Sequence, residues 1–229
     1  MKKTVALLLV IALLAAMLAG CSSPAAYKAS KRAFNNTTEA YLLVNQYSKD
    51  IYEAWRLGIN EKSTYSRESG LQSLSYELYV DAQSLEMAVA SLLGKETFSS
   101  GDWGRLQDRY SSFFSACVSV VSEAYVVNGT ADEIEALLVD AKSEMKTLGD
   151  KYSDYTHYPA LKAYFTNTLA FFDFCKNPEG SFEQVVETFN TYRNNARTYF
   201  FELNYVFEDS IGGMYDTKTE DEVIAEDAI

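Results

Sequence analysis

The sequence predicts an all-α fold, an up-and-down antiparallel helical bundle of about six helices. Three observations support this prediction. Apolar residues recur at alternating spacings of three and four along most of the chain, as they do on the buried face of an amphipathic helix. Capping sequences and glycines stand where these stretches begin and end. No stretch shows the residue-by-residue alternation that is typical of a half-buried strand.

The apolar spacing defines six segments in order along the chain. They lie near residues 25–58, 68–94, 102–128, 131–155, 158–176 and 181–210. Ser69, Thr130 and Ser181 each stand three residues before a glutamine or glutamate, which is the capping-box pattern of a helix start. Short loops between long helices favour antiparallel neighbours and hence an up-and-down order. An alternative joins the fourth and fifth segments into one broken rod around residues 156–159.

The first 20 residues have the order of a secretory signal peptide. Two lysines precede an apolar run of roughly 15 residues, which ends in small residues. This run is shorter than the ~20 residues that a transmembrane helix needs. It ends in Leu18-Ala19-Gly20-Cys21, which resembles the lipobox of bacterial lipoproteins. The resemblance implies that Cys21 receives a diacylglyceryl group and that cleavage just before it makes Cys21 the first mature residue.

The lipobox resemblance also implies a location. Two acyl chains hold a protein stably on a membrane, so we expect a lipid anchor on the extracytoplasmic face of the cell membrane. An ordinary cleaved signal with a chance cysteine is the alternative. The chain then divides into a lipoprotein signal peptide (1–20), a lipidated cysteine with a short spacer (21–26), a helical bundle domain (27–211) and an acidic flexible tail (212–229).

The chain is strongly acidic, with 32 acidic and 20 basic side chains and a net charge of −12. Loss of Lys2 and Lys3 with the signal peptide makes the mature charge −14. Such a charge argues against nucleic acid as a partner and against a basic patch lying on anionic lipid. A basic or cation-binding partner is permitted. The tail, residues 212–229, has little apolar surface to bury and is predicted to be mobile. The alternative is that the tail binds a basic partner.

The sequence holds little of the chemistry that catalysis needs. His157 is the only histidine, which excludes a zinc helix of the HExxH type and favours a capping or turn role. No serine lies in a G-x-S-x-G elbow. Glu183 and Glu187 lie one turn apart on one predicted helix, which is typical of a solvated face rather than of a glycosidase cleft. We therefore predict no catalytic residue, no metal site and no cofactor.

Cys117 and Cys175 are the remaining cysteines, and each lies on a predicted apolar helix face. Export to an oxidising space permits a disulfide between them. Buried free thiols, which behave as small hydrophobic side chains, are the favoured alternative.

The function that these observations favour is non-catalytic binding of a protein partner or ligand at the cell envelope. A small-molecule sensor or solute-binding bundle is the alternative, with Tyr152, Tyr155, Tyr158 and Phe172 as its candidate ligand-binding residues. An envelope enzyme is the least favoured reading. Three adjacent phenylalanine pairs bear on the choice, because consecutive helical residues point about 100° apart. One ring of each pair must widen the apolar face, either within the core or along a groove: Phe113-Phe114, Phe171-Phe172 and Phe200-Phe201.

Overall fold

The computed structural model describes residues 23–60 and 70–207, and in these two ranges the chain is helical without a β-strand. The all-α class is therefore confirmed for this part of the chain. Cys21, the rest of the lipobox and the tail 212–229 lie outside the described residues. No helix in the two ranges is both long enough and apolar enough to cross a bilayer.

Eight helices are described, where the sequence predicted about six. They are α1 (Pro24–Asn60), α2 (Gly70–Glu77), α3 (Ala82–Leu93), α4 (Asp102–Gln107), α5 (Phe113–Val127), α6 (Thr130–Lys151), α7 (Tyr158–Lys176) and α8 (Phe182–Asn204). The second predicted segment is divided into α2 and α3, and the third into α4 and α5.

Side-chain caps explain both divisions. Asp81 is extended and its carboxylate accepts a hydrogen bond from the backbone N–H of Ser84 at 2.8 Å. Ser112 is also extended and its hydroxyl accepts one from the N–H of Ser115 at 3.3 Å. Each cap satisfies an amide that a helix start leaves unpaired, so a new helix begins at that point.

The predicted capping boxes have different outcomes. Ser181 and Gln184 form the reciprocal pair of hydrogen bonds at the start of α8, so that box is confirmed. The box at Thr130 is wrong, because Gly129 occupies the N-cap position and the Asn128 side chain accepts from the N–H of Thr130 at 2.9 Å. Ser69 lies outside the described residues.

Helix α1 is the central element of the bundle. Its 37 residues correspond to about 55 Å at 1.5 Å per residue. It packs against α2, α5, α6, α7 and α8, most extensively against α6. Large and small apolar side chains that are fully buried recur along its whole length: Ala33, Phe34, Ala40, Val44, Ile51 and Ala54.

Helices α5 and α6 lie end to end along α1 and run in the opposite direction. Phe114, at the start of α5, stacks on Trp55 near the end of α1, with ring centroids 5.4 Å apart. Glu144, in the last third of α6, pairs with Arg32 near the start of α1 at 2.6 Å. Gly129 joins the two helices with a φ of 83°, a conformation that glycine adopts without steric cost.

Helix α7 runs in the same direction as α1. The Tyr164 hydroxyl lies 3.4 Å from the hydroxyl of Thr38, and the Cys175 thiol lies 4.0 Å from the carbonyl of Val44. The chain therefore reverses between α6 and α7, at residues 152–157. The alternative of a broken rod at residues 156–159 is wrong, since the interrupted rod consists of α5 and α6 instead.

Helix α8 runs antiparallel to α1 and closes the bundle. Phe182 at its start stacks on Tyr52 with centroids 5.6 Å apart, and Phe200 near its end stacks on Phe34 at 5.7 Å. Phe34 and Phe200 belong to one continuous hydrophobic core, and Phe182 packs against it. The two cysteines that the structure describes, Cys117 and Cys175, are buried in the same core, and no disulfide joins them.

Candidate functional site

An open groove of about 500 Å³ lies beside α5. The end of α1, the end of α3, the chain just before α5 and the residues that follow α7 supply its other walls. Aromatic rings line much of it: Tyr47, Trp55, Tyr110 and Phe114. The groove is therefore an apolar surface in a concave place, which is where binding sites are usually found.

The aromatic floor of the groove depends on a glycine. Trp55 and Phe114 lie nearly parallel, with an angle of 14° between their rings. Gly58, one turn after Trp55, faces the backbone of Phe114. A Cβ atom on Gly58 would lie 2.5 Å from the Cα atom of Phe114. Only a residue without a side chain permits this approach of α5 to α1.

The open face of α5 carries small hydroxyl side chains. Ser115, Ser119 and Ser122 follow one another at spacings of four and three and all line the groove, so they share one side of the helix. The opposite side, with Val120 and Ala124, is fully buried. The small size of the serines leaves open the space that larger residues would fill.

Charged groups stand at the rim of the groove. Glu123 and Lys176 contribute to its lining, together with the uncharged amide of Asn177. The Lys176 ammonium group pairs with Asp173 at 2.8 Å and also lies 4.5 Å from the centre of the Phe172 ring. The site thus combines apolar rings, hydroxyl groups and both signs of charge.

Tyr47 connects the groove to the buried side of α5. Its ring stacks on Tyr125 with centroids 4.1 Å apart, and the Tyr125 hydroxyl donates a hydrogen bond to Asp50 at 2.9 Å. Burial raises the pKa of both phenols, and the neighbouring Asp50 raises that of Tyr125 further. Both tyrosines are therefore neutral hydrogen-bonding groups at physiological pH.

Asp50 is a buried carboxylate with only 1% of its surface exposed. It accepts hydrogen bonds from the N–H groups of Tyr79 and Val80, at 2.9 and 3.1 Å, in addition to that from Tyr125. Burial raises the pKa of Asp50 to about 6, although these hydrogen bonds oppose the shift. All three donors belong to neighbouring parts of the fold, so Asp50 fixes the α2–α3 connection and α5 to α1.

The residues predicted to bind a ligand are only partly brought together. Tyr152 and Tyr155 lie in the turn between α6 and α7, and Tyr158 is the first residue of α7. Phe172 is 14 residues further along the same helix, which is about 21 Å. Neither the groove nor a second cavity of about 160 Å³, beside Gln46 and Tyr79, is lined by any of the four.

The single histidine lies in the same turn. His157 occupies the N-cap position of α7, but its side chain makes no capping hydrogen bond. Its ring meets that of the buried Tyr155 edge-on, with centroids 5.5 Å apart. The geometry is that of a packed turn residue.

The three phenylalanine pairs have three different outcomes. Phe114 lines the groove and its neighbour Phe113 packs against the core. Both rings of the second pair, Phe171 and Phe172, are buried. In the third pair Phe200 is buried and Phe201 is 45% exposed.

Over residues 23–60 and 70–207 the chain is a helical bundle with an aromatic, serine-lined groove that is open to solvent. Among residues 23–60 and 70–207, no group of three or more histidine, cysteine, aspartate or glutamate side chains is arranged to hold a metal ion. No protein-family model, curated protein sequence or solved structure matches the chain. Its function is therefore inferred from the chemistry of the groove and from the sequence around Cys21.

Proposed function

We propose that the protein is a lipid-anchored, extracytoplasmic helical bundle that binds a protein partner at the cell envelope through the groove beside α5, without catalysing a reaction. The observation that carries the binding proposal is the groove itself, an open apolar surface in which the half-buried rings of Tyr110 and Phe114 lie beside the buried rings of Tyr47 and Trp55. Exposed apolar concavities of this kind mark interaction sites. The anchor rests on the lipobox resemblance of Leu18-Ala19-Gly20-Cys21.

The position of the groove along α1 suits this arrangement. Tyr47 and Trp55 lie 23 and 31 residues after Pro24, which is about 35 and 47 Å along the helix. Cys21 precedes Pro24 by three residues. An acyl anchor on Cys21 would therefore hold the groove away from the membrane surface, where an envelope protein can reach it.

The proposal includes a finer description of the fold, an up-and-down order of four rods. The rods are α1, the interrupted rod of α5 and α6, α7, and α8. The opposite directions of successive rods, inferred from the contacts along α1, support this order.

A small-molecule sensor or solute-binding bundle is the second candidate. The volume of the groove, about 500 Å³, lies within the range of about 300–1,000 Å³ that is typical of small-molecule sites. The turn with Tyr152, Tyr155 and Tyr158 is a further location for such a ligand. A change in melting temperature with one member of a metabolite panel, in the absence of any protein partner, would favour this second candidate.

The binding proposal is tested by purification of the full chain from its own envelope in a mild detergent. We expect a partner to copurify with the wild-type protein in stoichiometric amount. The Ser119→Arg variant should not copurify with that partner, because the new side chain fills the groove. Ser143→Arg, on the exposed face of α6, is the matched control and should keep the partner. Equal recovery from both variants would contradict the proposal.

The anchor is tested separately. Cys21→Ser should release the chain from the detergent phase and block processing of the signal peptide, whereas Ser23→Ala should change neither. An unchanged distribution of the Cys21→Ser chain would refute the anchor and leave the groove proposal intact. The envelope-enzyme alternative predicts instead that a fold-preserving change at His157 removes an envelope activity.

A further inference from the structure

One end of the bundle lies close to the proposed lipid anchor. Helix α1 starts there at Pro24, and Cys21 precedes it by three residues, which span at most about 11 Å. Helix α8 finishes at the same end, because Phe207 contacts Tyr27 with ring centroids 5.6 Å apart. A lipid on Cys21 would therefore keep this end of the bundle within reach of the bilayer surface.

Two large aromatic side chains are exposed at this end. Tyr205 is 80% exposed and Phe201 is 45% exposed, and their spacing of four residues places them on one side of the end of α8. Arg197 lies one turn earlier on the same side, with its guanidinium group 5.7 Å from the centre of the Phe201 ring. Rings that combine an apolar body with a polar group or a neighbouring cation favour the interface between a bilayer and water.

The charge of this end differs from that of the whole chain, which is −12. Seven basic and four acidic side chains lie in the three segments that meet here, which are residues 24–38, 144–162 and 197–207. Charges that lie more than about 10 Å from a surface are largely screened at physiological salt. The local excess of cations, rather than the net charge, therefore governs contact with an anionic bilayer.

Two of these cations lie on the first turns of α1. Lys28 is exposed and Lys31 is half-buried. Lys31 follows Tyr27 by four residues, so it shares the side of α1 that contacts the end of α8. Arg32, by contrast, is paired with Glu144 at 2.6 Å. Lys28 and Lys31 are thus the cations of α1 that are placed to meet phosphate groups.

We propose that this end of the bundle makes a second contact with the membrane. The rings of Phe201 and Tyr205 enter the headgroup layer of an anionic bilayer, and Lys28 and Lys31 lie against its phosphate groups. The inference rests on the proposed function, because the lipid on Cys21 brings this end to the bilayer. A contact that is weak by itself suffices, since the anchor makes it intramolecular.

Quenching of tryptophan by brominated lipid tests the contact. Full-length Tyr205→Trp protein is purified from its own membrane and reconstituted into vesicles of phosphatidylglycerol and phosphatidylcholine in equal amounts, with bromine high on the acyl chains. Tyr79→Trp is the matched control. Tyr79 is also exposed, at 64%, but its N–H bonds to Asp50, which lies 26 residues after Pro24 and hence about 39 Å along α1.

We expect brominated lipid to remove most of the emission that the new tryptophan adds at position 205 and little of that at position 79. The wild type supplies the background from Trp55 and Trp103. Circular dichroism melting curves establish that the variants are folded. Equal quenching at positions 205 and 79 would overturn the proposal, because no particular end of the bundle would then meet the membrane.

Flotation of the vesicles separates this inference from the anchor on which it rests. Protein that floats with the vesicles but is not quenched at position 205 would overturn the contact and leave the anchor intact. That result is expected if the acidic chain after residue 207 covers the two rings instead. Protein that does not float would refute the anchor and the contact together.

A charge reversal tests the two lysines. Lys28→Glu combined with Lys31→Glu should reduce the quenching at position 205, because the new carboxylates are repelled by the anionic headgroups. Vesicles of phosphatidylcholine alone should reduce the quenching of the protein that keeps both lysines. Unchanged quenching in both experiments would overturn the contact of Lys28 and Lys31 with the phosphate groups.

Discussion

Asp50 makes the stability of the bundle depend on pH. Its pKa is raised from 3.8 to about 6 by burial, so between these values the folded chain holds a proton that the unfolded chain has released. The free energy of unfolding therefore falls as the pH rises from about 4 to about 6. A shift of this size corresponds to about 3 kcal/mol. The contribution is fully present below pH 4 and is lost above the folded-state pKa.

We predict that Asp50→Asn removes this part of the pH dependence. The variant should also lose about 1–3 kcal/mol at pH 4, because an amide cannot accept all three hydrogen bonds and leaves a buried N–H unsatisfied. Urea unfolding of both proteins at several pH values between 4 and 7 gives the two slopes. Parallel slopes would show that Asp50 does not titrate in this range.

A substitution at Gly58 tests the close contact between α1 and α5. Gly58→Ala should lower the free energy of unfolding by about 1–3 kcal/mol, since the added methyl group forces α5 away from α1. Gly101→Ala is the matched control, because a Cβ atom there meets nothing within 4 Å and the residue has a φ of −88°. Thermal or urea unfolding measures both changes. Equal stability of the two variants would argue against the contact with Phe114.

The division between α2 and α3 depends on the N-cap residue Asp81, which the regular spacing of the leucines does not indicate. Leu71, Leu78 and Leu85 keep one heptad spacing across the division and all are buried, so periodicity alone predicts one helix. Asp81 provides the local reason for the break, and the hydrogen bonds from Tyr79 and Val80 to Asp50 provide the tertiary one. The tertiary contact cannot be read from local sequence.

We predict that Asp81→Ala lowers the free energy of unfolding by about 1 kcal/mol, the usual cost of losing an N-cap. Asp81→Ser, which retains a capping oxygen, should recover most of the loss. Chemical denaturation of the three proteins measures the differences. Indistinguishable midpoints for the wild type and Asp81→Ala would show that the cap contributes nothing to α3.

Local sequence features correctly predicted the last two helices, α7 and α8. The sequence predicts 158–176 for the helix that the structure places at Tyr158–Lys176, and the capping box at Ser181 marks the start of α8. The box predicted at Thr130 failed because Asn128, two residues earlier, supplies the side-chain acceptor. Asn128 and Thr130, on either side of Gly129, are two polar candidates for one helix start, and the turn geometry at Gly129 decides between them.

At the scale of the whole molecule, the groove could not be predicted, because its walls come from segments that are distant in the sequence. Tyr47, Phe114 and Lys176 belong to three helices that meet only in the folded chain. The adjacent pair Phe113-Phe114 predicted a wider apolar face, but packing within the core was the favoured interpretation and a groove was the alternative. The hydroxyl spacing of Ser115, Ser119 and Ser122 was the sequence feature that distinguishes the groove side of α5.

The net charge of the chain likewise does not show where the charged residues lie. An overall excess of acids argued against a basic patch, yet residues 24–39 at the start of α1 contain one acidic and three basic side chains.

Site-specific photo-crosslinking in intact cells tests the central claim most directly. A photoreactive side chain at position 119 faces into the groove, and one at position 143 faces solvent on α6. Our account predicts one discrete crosslinked protein from position 119 that is absent at position 143. The same crosslinked products from both positions, or none from position 119 while the chain is present in the envelope, would contradict it.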